Sequence, residues 1–436
     1  MLDLKFIREN PDLIKKNCAD RQSPVDVDEL LKLDSERREL INEIDKLRAE
    51  RNQSSKTKPD AEQIAKMKEL GQTVSELEQN LVLTEKNLQT LLLAVPNLTH
   101  PDVKVSDDED DNPVLETVGE VAQFKFEPKD HVQLAADLDL IEFERATKVV
   151  GAKFYYLKND LARLELALIN YAVDIIRAHG YTLMTTPDLA KTDLIERLGF
   201  SPRGASTQVY NIEDSDLSLI GTAEITLGGL YADEVLLAEN LPIKLVGLSH
   251  CFRTEAGSYS KFAKGIFRVH QFTKVEMFVY CPPEEAESLH QEILAIEKEI
   301  FSGLVIPFRV IDHCTADLGN PSYRTFDLEA WLPASPAVAL AEEGADPDAK
   351  GRWGEITSTS NCTDYQARGL NIKYQTESTD TQATEKHYIY TLNGTGVATT
   401  RALIAILENY QQADGSIVVP EVLRPYLNKQ KVIKKS

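Results

Sequence analysis

The chain has 436 residues, 42% of them hydrophobic and 27% charged, which is the composition of a globular protein with room for two or three domains. No apolar run approaches the roughly 18–20 residues of a membrane-spanning helix, and the acid-bearing start MLDLKFIRENPD matches neither a signal nor a transit peptide. The net charge of −22 excludes a protein that is basic throughout, so a nucleic acid must bind to a local basic patch.

Two long helices separated by a polar break are predicted in the first hundred residues, after a short helical lead-in over about 1–23. The residues that repeat every seven positions are Leu33, Leu40 and Leu47 in a helix over about 27–51, and Met67, Val74, Leu81 and Leu88 in a helix over about 61–93. Pro59 in the break forbids one continuous helix. Heptads on both sides of a short break predict an antiparallel coiled-coil hairpin with helices roughly 40 Å long.

The stretch 46–58, which spans the end of the first helix and the break, is basic in an otherwise acidic chain. Its Lys and Arg residues are Lys46, Arg48, Arg51, Lys56 and Lys58, against the single acid Glu50. Two interpretations stay open from the residues alone. The hairpin is a dimerisation or spacer coiled coil, or it is an arm whose basic end contacts phosphates. The acidic run SDDEDD at 106–111 predicts a solvated linker.

From about residue 116 the pattern predicts a mixed α and β domain. The segment 161–180 is an amphipathic helix ending at Gly180, and another helix is predicted in TRALIAILENYQ. Four runs alternate between apolar and polar residues, which favours an antiparallel sheet, and they lie at 243–253, 267–280, 305–312 and 387–397. There is neither a P-loop nor a GxGxxG motif.

The five cysteines are far apart in the sequence, and no two of them form a CxxC pair. They are Cys18, Cys251, Cys281, Cys314 and Cys362. This distribution predicts reduced thiols in a cytosol-like compartment and no zinc site.

Charged side chains interrupt the strand-like segment CFRTEAGSYSKFAKGIFRVHQFTKVEMFVY at 251–280. The two-residue period of a strand places Phe272, Lys274 and Glu276 on one face. Arg253 has the planar fork that binds phosphate or carboxylate groups bidentately, Phe272 is suited to stacking on a base, and Glu276 to accepting from an ammonium or hydroxyl group. The alternative is that these charges form internal ion pairs of the sheet.

These residues resemble motif 2 of the class II aminoacyl-tRNA synthetases, in the form of the seryl-tRNA synthetase family. Other segments agree in order along nearly the whole chain. They are the motif 1-like ARLELALINYAVDIIRAHGYTLMTTPDL, the loop GTAEI at 221–225, GEITSTSNCTDYQAR at 354–368, and the motif 3-like NGTGVATTRALIAILENYQQADG from 393. The resemblance implies an α+β fold, with an N-terminal antiparallel coiled-coil arm and a class II catalytic domain built on an antiparallel β-sheet flanked by helices. The implied domains are 1–105, which binds tRNA, and 106–436.

The resemblance implies a serine–tRNA ligase that activates L-serine with ATP and Mg²⁺ and transfers it to tRNA(Ser); charging of tRNA(Sec) is left open. The implied catalytic residues are Arg253, Glu276 and Arg401. The implied ATP contacts are Arg253, Thr254, Glu255, Arg268, Val269, Phe272, Glu355, Ile356, Thr357, Ser358 and Arg401, of which Glu355 and Ser358 would hold Mg²⁺. The implied serine contacts are Thr222, Ala223, Glu224, Arg253, Glu276 and Thr395. For single residues, capping threonines and structural ion pairs remain the alternative.

The resemblance also implies a homodimer and an arm that reads tRNA through Lys46, Arg48, Arg51, Lys56 and Lys58. Three departures from the family pattern stand out. The arm is short, which favours an unusual tRNA such as a mitochondrial one. The expected location is the cytoplasm, with the mitochondrial matrix as the alternative. The segment 334–354 is long. QARGL replaces QARR, so that Gly369 removes a positive charge.

Two other functions are weighed against a ligase. A paralogue that activates an amino acid for a carrier protein would lack the arm. A catalytically inactive relative would have lost Arg253, Glu276 or Arg401, and all three are present.

Overall fold

The computed structural model describes residues 1–54, 61–200, 208–256, 265–336, 350–377 and 384–435. The chain divides into two compact units, Met1–Leu98 and Thr99–Ser436. Within the described ranges, every helix falls short of the length and apolar character that crossing a bilayer would require.

The first unit is helical, as its heptads predict. Its helices are α1 Leu4–Glu9, α2 Pro11–Asp20, α3 Val27–Ser54 and α4 Ala61–Ala94. The side chain of Asp3 accepts from two backbone N–H groups at the start of α1, and Pro11 occupies the first position of α2, where its missing N–H costs nothing. The break at 55–60 lies outside the described residues.

Helices α3 and α4 form the predicted antiparallel hairpin. Three ion pairs join them, between Arg37 and Glu85 at 3.0 Å, Arg48 and Glu78 at 2.8 Å, and Glu50 and Lys66 at 2.8 Å. The partner's number falls as the first residue's number rises, so the helices run in opposite directions. The seam between them is apolar, with Leu30 and Ile44 of α3 and Val74 and Leu88 of α4 buried.

The second unit is an α+β domain. Its helices are α5 His131–Leu138, α6 Glu144–Val149, α7 Asn159–Ala178, α8 Thr192–Arg197, α9 Glu224–Gly228, α10 Ala286–Gly303, α11 Tyr365–Leu370 and α12 Thr399–Asn409. Its strands are β1 Val114–Val118, β2 Ile141–Glu142, β3 Tyr156–Leu157, β4 Thr182–Thr185, β5 Leu189–Lys191, β6 Leu217–Leu219, β7 Val235–Leu237, β8 Ile243–Phe252, β9 Gln271–Cys281, β10 Phe308–Asp312, β11 Arg324–Pro336, β12 Lys350–Asn361, β13 Lys373–Glu377, β14 Thr384–Tyr388, β15 Tyr390–Ala398, β16 Ile417–Val418 and β17 Val432–Ile433.

An eight-stranded sheet in the order β1-β10-β11-β12-β15-β9-β8-β4 is the framework of this unit. Every pair in it is antiparallel except β4 with β8. The four strands that alternation predicted are β8, β9, β10 and β15. The predicted antiparallel sheet is therefore confirmed, and the predicted helices correspond to α7 and α12.

Strand β9 shows how the sheet separates core from cavity. Val275, Met277 and Val279 point into a core cluster that also contains apolar side chains of α7, α10 and α12. The residues between them point the other way, as successive side chains of a strand must. On that second face Phe278 enters a smaller core cluster, while Lys274 and Glu276 line a cavity.

Gly369, the residue that removes a charge from the family pattern, is a packing residue. A Cβ atom at this position of α11 would lie 1.9 Å from the carbonyl oxygen of Arg197 at the end of α8. The guanidinium Nε of Arg197 in turn donates to the Gly369 carbonyl oxygen at 2.8 Å. The close approach of α8 and α11 therefore requires glycine, whatever charge is lost.

We expect Gly369→Ala to destabilise the second unit by about 1–3 kcal/mol or more, because the methyl group overpacks a backbone contact. Gly71→Ala is the matched control, since Gly71 lies inside α4 with open space at its Cβ. It should stabilise the hairpin by up to about 1 kcal/mol through helix propensity. Thermal unfolding measures both, and an unchanged melting temperature for Gly369→Ala would contradict the packing argument.

Candidate active site

A cavity of about 510 Å³ lies on the polar face of β9, β12 and β15, within the size range of small-molecule sites. The predicted ATP, serine and metal residues that line it are Thr222, Glu224, Arg253, Glu255, Arg268, Val269, Phe272, Glu276, Glu355, Ile356, Thr357, Ser358, Thr395 and Arg401. Residues from parts of the chain some 180 positions apart thus share one cleft. Arg253, Glu276 and Arg401 are among them.

Arg253 directly follows β8 and is held from two sides. Its backbone N–H donates to the carbonyl oxygen of His270 at 3.0 Å, and its guanidinium Nε donates to the Gly221 carbonyl oxygen at 3.3 Å. The guanidinium carbon lies 5.4 Å from the centre of the Phe272 ring. This cation–π contact orients the guanidinium. Arg253 lines the cavity, where its remaining N–H groups are suited to binding an anion.

Glu276 lies on β9, an interior strand of the sheet between β8 and β15. Its carboxylate is 2.5 Å from the ammonium group of Lys274, and the hydroxyl of Thr395, its partner on β15, donates to it at 3.3 Å. Lys274 and Glu276 are both more than nine-tenths buried. The ion-pair interpretation of Glu276 is therefore correct, and the residue lines the cavity as well.

Glu224 differs from Glu276 in that its carboxylate accepts hydrogen bonds from neutral amides. At the start of α9, its Oε1 accepts from the side-chain amides of Gln366 at 2.7 Å and Asn393 at 3.2 Å. Burial, helped by the negative charge of Glu276, raises the pKa of Glu224 to about 7. A ligand ammonium group here would favour the ionised form.

Arg401 and Glu355 form a second charged group that lines the cavity. Arg401 is the third residue of α12, and its Nη1 is 2.7 Å from Glu355 Oε1 and donates to the Glu355 backbone oxygen at 3.2 Å. Burial raises the pKa of Glu355, but the positive charges of Arg401 and Arg253 outweigh burial and keep the pKa below its ordinary value. The carboxylate is therefore ionised at neutral pH. The N-terminal turn of α12 adds a partial positive charge that favours anions.

A third charged pair joins the two ends of the β8–β9 connection. Arg268 Nη1 is 3.7 Å from Glu255 Oε2. Glu255 has φ of 50°, in the left-handed region that non-glycine residues avoid. Such strain is maintained where the surrounding structure requires a particular side-chain direction, and Glu255 lines the cavity.

Two predicted residues, Thr254 and Ala223, do not line the cavity. The backbone N–H of Thr254 donates a hydrogen bond to the Gln208 carbonyl oxygen at 3.0 Å. Ala223 is fully buried in the smaller core cluster. Thr357 lines the cavity, but its hydroxyl donates to Glu297 Oε2 in the core at 2.8 Å.

The sequence interpretation omitted several polar residues of the cavity. The strand period placed Lys274 on the face of Glu276 but gave it no role, and Asn393, two residues before Thr395, could have been found in the same way. His313 had no such signal. It lies between Asp327, 3.0 Å from its Nε2, and Asp317, 3.2 Å from its Nδ1. Burial lowers the pKa of His313, but these two carboxylates outweigh burial and raise it to about 10.

The predicted tRNA contacts lie near the connection of the hairpin in the first unit. Lys46 and Arg51 are exposed on α3, while Arg48 is paired with Glu78. Lys56 and Lys58 lie outside the described residues. The five cysteines, in contrast, all lie within the described ranges and are free thiols in buried positions.

Two family models match the chain. The seryl-tRNA synthetase N-terminal domain matches residues 1–99, and the tRNA synthetase class II core domain (G, H, P, S and T) matches residues 208–410. A serine–tRNA ligase from Treponema denticola is 48% identical over 433 residues, covering 98% of both chains. One from Dictyoglomus turgidum is 45% identical, again over 98% of both chains.

A solved structure of similar shape covers the whole chain. The crystal structure of a seryl-tRNA synthetase from Pyrococcus horikoshii complexed with ATP has a TM-score of 0.87 and 39% sequence identity, and 100% of each chain is covered.

Proposed function

The chain belongs to the seryl-tRNA synthetase family and is a serine–tRNA ligase, and we propose that both steps of its reaction use the cavity bordered by Arg253, Glu276 and Arg401. The observation that carries this assignment is the convergence of these three side chains on one cavity. They come from the end of β8, the middle of β9 and the first turn of α12.

The nucleotide lies at the end of the cavity that contains Arg253, Phe272 and Arg401. Phe272 stacks on the adenine ring, Glu255 accepts from the adenine amino group, and Arg401 binds the γ-phosphate with Arg268 nearby. ATP is the ligand of the Pyrococcus relative. The guanidinium groups of Arg401 and Arg268 already lie against the carboxylates of Glu355 and Glu255. Phosphate oxygens would replace these carboxylates as partners of guanidinium groups that are already in position.

Arg253 brings the two reactants together. It binds the α-phosphate and the serine carboxylate at once, so that a carboxylate oxygen attacks phosphorus in line with the departing pyrophosphate. The products are seryl-adenylate and pyrophosphate. In the second step the terminal ribose hydroxyl of tRNA attacks the acyl carbon, and AMP leaves with the electron pair of the broken bond. Neither step needs a nucleophile from the protein.

Glu355 and Ser358 fit a Mg²⁺ ion. Both line the cavity, the carboxylate is kept ionised by the neighbouring guanidinium groups, and Mg²⁺ characteristically takes one or two protein oxygens while phosphates and waters complete its shell. Bound there, the ion would neutralise charge on the polyphosphate.

Serine is recognised by Glu224, Glu276 and Thr395. Glu224 binds the α-ammonium group, with Thr222 beside it, and Glu276 and Thr395 bind the side-chain hydroxyl. Glu276 and Thr395 are buried and belong to one polar network with Lys274. A serine hydroxyl can join this network by a hydrogen bond that the methyl group of alanine cannot make, which discriminates against alanine.

The remaining parts of the function concern the tRNA and the assembly. The basic end of the hairpin binds tRNA phosphates, within an N-terminal tRNA-binding domain over 1–105 and a catalytic domain over 106–436. The enzyme acts as a homodimer through the motif 1 segment in the cytoplasm. The uniformly free thiols support a reducing compartment.

Arg253→Ala should lower serine-dependent ATP–pyrophosphate exchange by at least about 100-fold, the usual cost of losing one well-placed charge-stabilising group. Arg253→Lys should recover only part of the activity, because it keeps the charge and loses the bidentate fork. Arg145→Ala, which removes an exposed arginine paired with Glu142, serves as control. Near-normal exchange by Arg253→Ala would refute the central assignment.

Serine binding should weaken as the pH falls through 7. The pKa of Glu224 is raised to about 7, so below that pH its carboxyl takes up a proton and loses the charge that binds the ammonium group. We expect the KM for serine to rise about tenfold per pH unit below 7, whereas the KM for ATP stays level. Glu224→Gln should show a high, pH-independent KM for serine. A wild-type profile that is flat between pH 6 and 8 would contradict this role.

The double substitution Lys46→Glu/Arg51→Glu should reduce tRNA charging by about tenfold or more and leave ATP–pyrophosphate exchange unchanged, because each reversal replaces a phosphate contact with repulsion. Lys86→Glu, on the same hairpin but distant in sequence from its connection, is the control. Charging by the double variant should also depend less steeply on salt. Equal charging by all three proteins would show that the hairpin end does not bind tRNA.

A further inference from the structure

A buried histidine–glutamate pair lies beside the cavity, at the end of α12. His131 is the first residue of α5 and is 5% exposed, and Glu408, near the end of α12, is fully buried. The imidazole Nδ1 is 3.0 Å from Glu408 Oε1. A buried carboxylate is costly unless it is fully hydrogen-bonded, so this pair needs further partners.

The further partners of Glu408 are backbone N–H groups of α5 and β11, so that this residue joins three elements. Its Oε1 also accepts from the backbone N–H of His131 at 3.2 Å, and its Oε2 accepts from the backbone N–H of Ala334 in β11 at 3.2 Å. Three residues farther along, the side chain of Gln411 makes two hydrogen bonds to the backbone of Lys129, at 2.8 and 3.0 Å. The end of α12 therefore holds the start of α5 in a fixed place.

The other nitrogen of the imidazole reaches the β8–β9 connection. The backbone N–H of Ile266 donates to His131 Nε2 at 3.4 Å. Since Nε2 must be unprotonated to accept, the ring proton is on Nδ1 and faces Glu408. Gly265 has φ of 69°, and a Cβ there would lie 2.0 Å from Nε2, so the chain passes the imidazole only as glycine.

The residues that follow Ile266 belong to the nucleotide end of the cavity. Phe267 and Arg268 both line it, and the Phe267 ring centre is 4.9 Å from the guanidinium carbon of Arg401. Arg401 and Glu408 are seven residues, about two turns, apart on α12, so they share one side of that helix. Helix α12 thus holds this segment at two neighbouring residues. Arg401 contacts Phe267 directly, and Glu408 reaches Ile266 through His131.

We propose that Glu408 and His131 are positioning residues for ATP, which hold the returning end of the β8–β9 connection so that Phe267 and Arg268 face the nucleotide. Neither touches the substrate. The imidazole bridges Glu408 and the Ile266 backbone, and its acceptor nitrogen fixes the position of that backbone. This inference rests on the assignment of the cavity as the ATP site.

The test is steady-state ATP–pyrophosphate exchange with each substrate varied in turn. His131→Ala should raise the KM for ATP about 3- to 10-fold, the value of one or two lost hydrogen bonds, and change the KM for serine less than about 2-fold. His131→Gln keeps an acceptor for the Ile266 N–H and should restore part of the ATP affinity. The matched control is His179→Ala, which removes the exposed pair of His179 with Glu299 and should change neither constant.

Gly265→Ala tests the same contact by changing the β8–β9 connection, and it retains both residues of the buried pair. It should also raise the KM for ATP selectively, and the double variant His131→Ala/Gly265→Ala should be less impaired than the two single effects predict, because the clash with Nε2 is gone. If His131→Ala does not fold, this variant and His131→Gln carry the test.

Two results would overturn the proposal. One is an unchanged KM for ATP in both His131→Ala and Gly265→Ala. The other is an equal rise of both Michaelis constants together with a lower melting temperature, which marks a purely structural pair. Failure of the ATP-site assignment itself is distinguishable, since Arg253→Ala would then leave exchange intact.

Discussion

The ion pair between Lys274 and Glu276 is the interaction on which the polar face of the large sheet depends. Both side chains are nearly inaccessible to water, and both belong to β9, close to the middle of the sheet. A lone buried charge in that position would destabilise the fold, whereas two opposite charges in contact compensate each other. The contact at 2.5 Å therefore lets a charged acceptor exist in the interior of a folded domain.

The same arrangement recurs around the cavity with different partners. Glu355 is matched by Arg401 and Glu255 by Arg268. Each cation is thus held close to the place where a polyphosphate would need it, and ligand binding exchanges one anionic partner for another without moving the cation far. Glu224 is held by the amides of Gln366 and Asn393 instead, and burial together with the negative charge of Glu276 raises its pKa. An incoming ammonium group fits that position, because it supplies the missing positive charge.

Helix α12 connects this electrostatic site to the packing of the domain. Its apolar residues lie in the main core cluster, its first turn carries Arg401 to the cavity, and Glu408 near its end joins α5 and β11. Because a helix is stiff over two turns, the separation between Arg401 and Glu408 is a fixed length. The end of the cavity that we propose to bind the nucleotide is therefore positioned by a helix that is itself buried in the core.

The sequence by itself determined the hairpin, four strands and two helices of the second unit, and the local chemistry of several site residues. Heptads specified the hairpin, because a seven-residue apolar repeat buries its seam only against another helix. Alternation specified β8, β9, β10 and β15, and placed Phe272 and Glu276 on one face, because a strand turns successive side chains to opposite sides. The resemblance of ordered motifs named somewhat less than half of the residues that line the cavity.

Only the tertiary structure decided which of those residues meet, and which pairs they form. Nothing in the local pattern joins His131 to Glu408, or Gly369 to Arg197, since these pairs are 277 and 172 residues apart. The raised pKa of Glu224 likewise depends on burial and on the charge of Glu276, which belongs to a different element of the fold. Periodicity is a property of neighbouring residues, whereas burial and Coulomb interactions depend on distances in space, which the folded chain alone establishes.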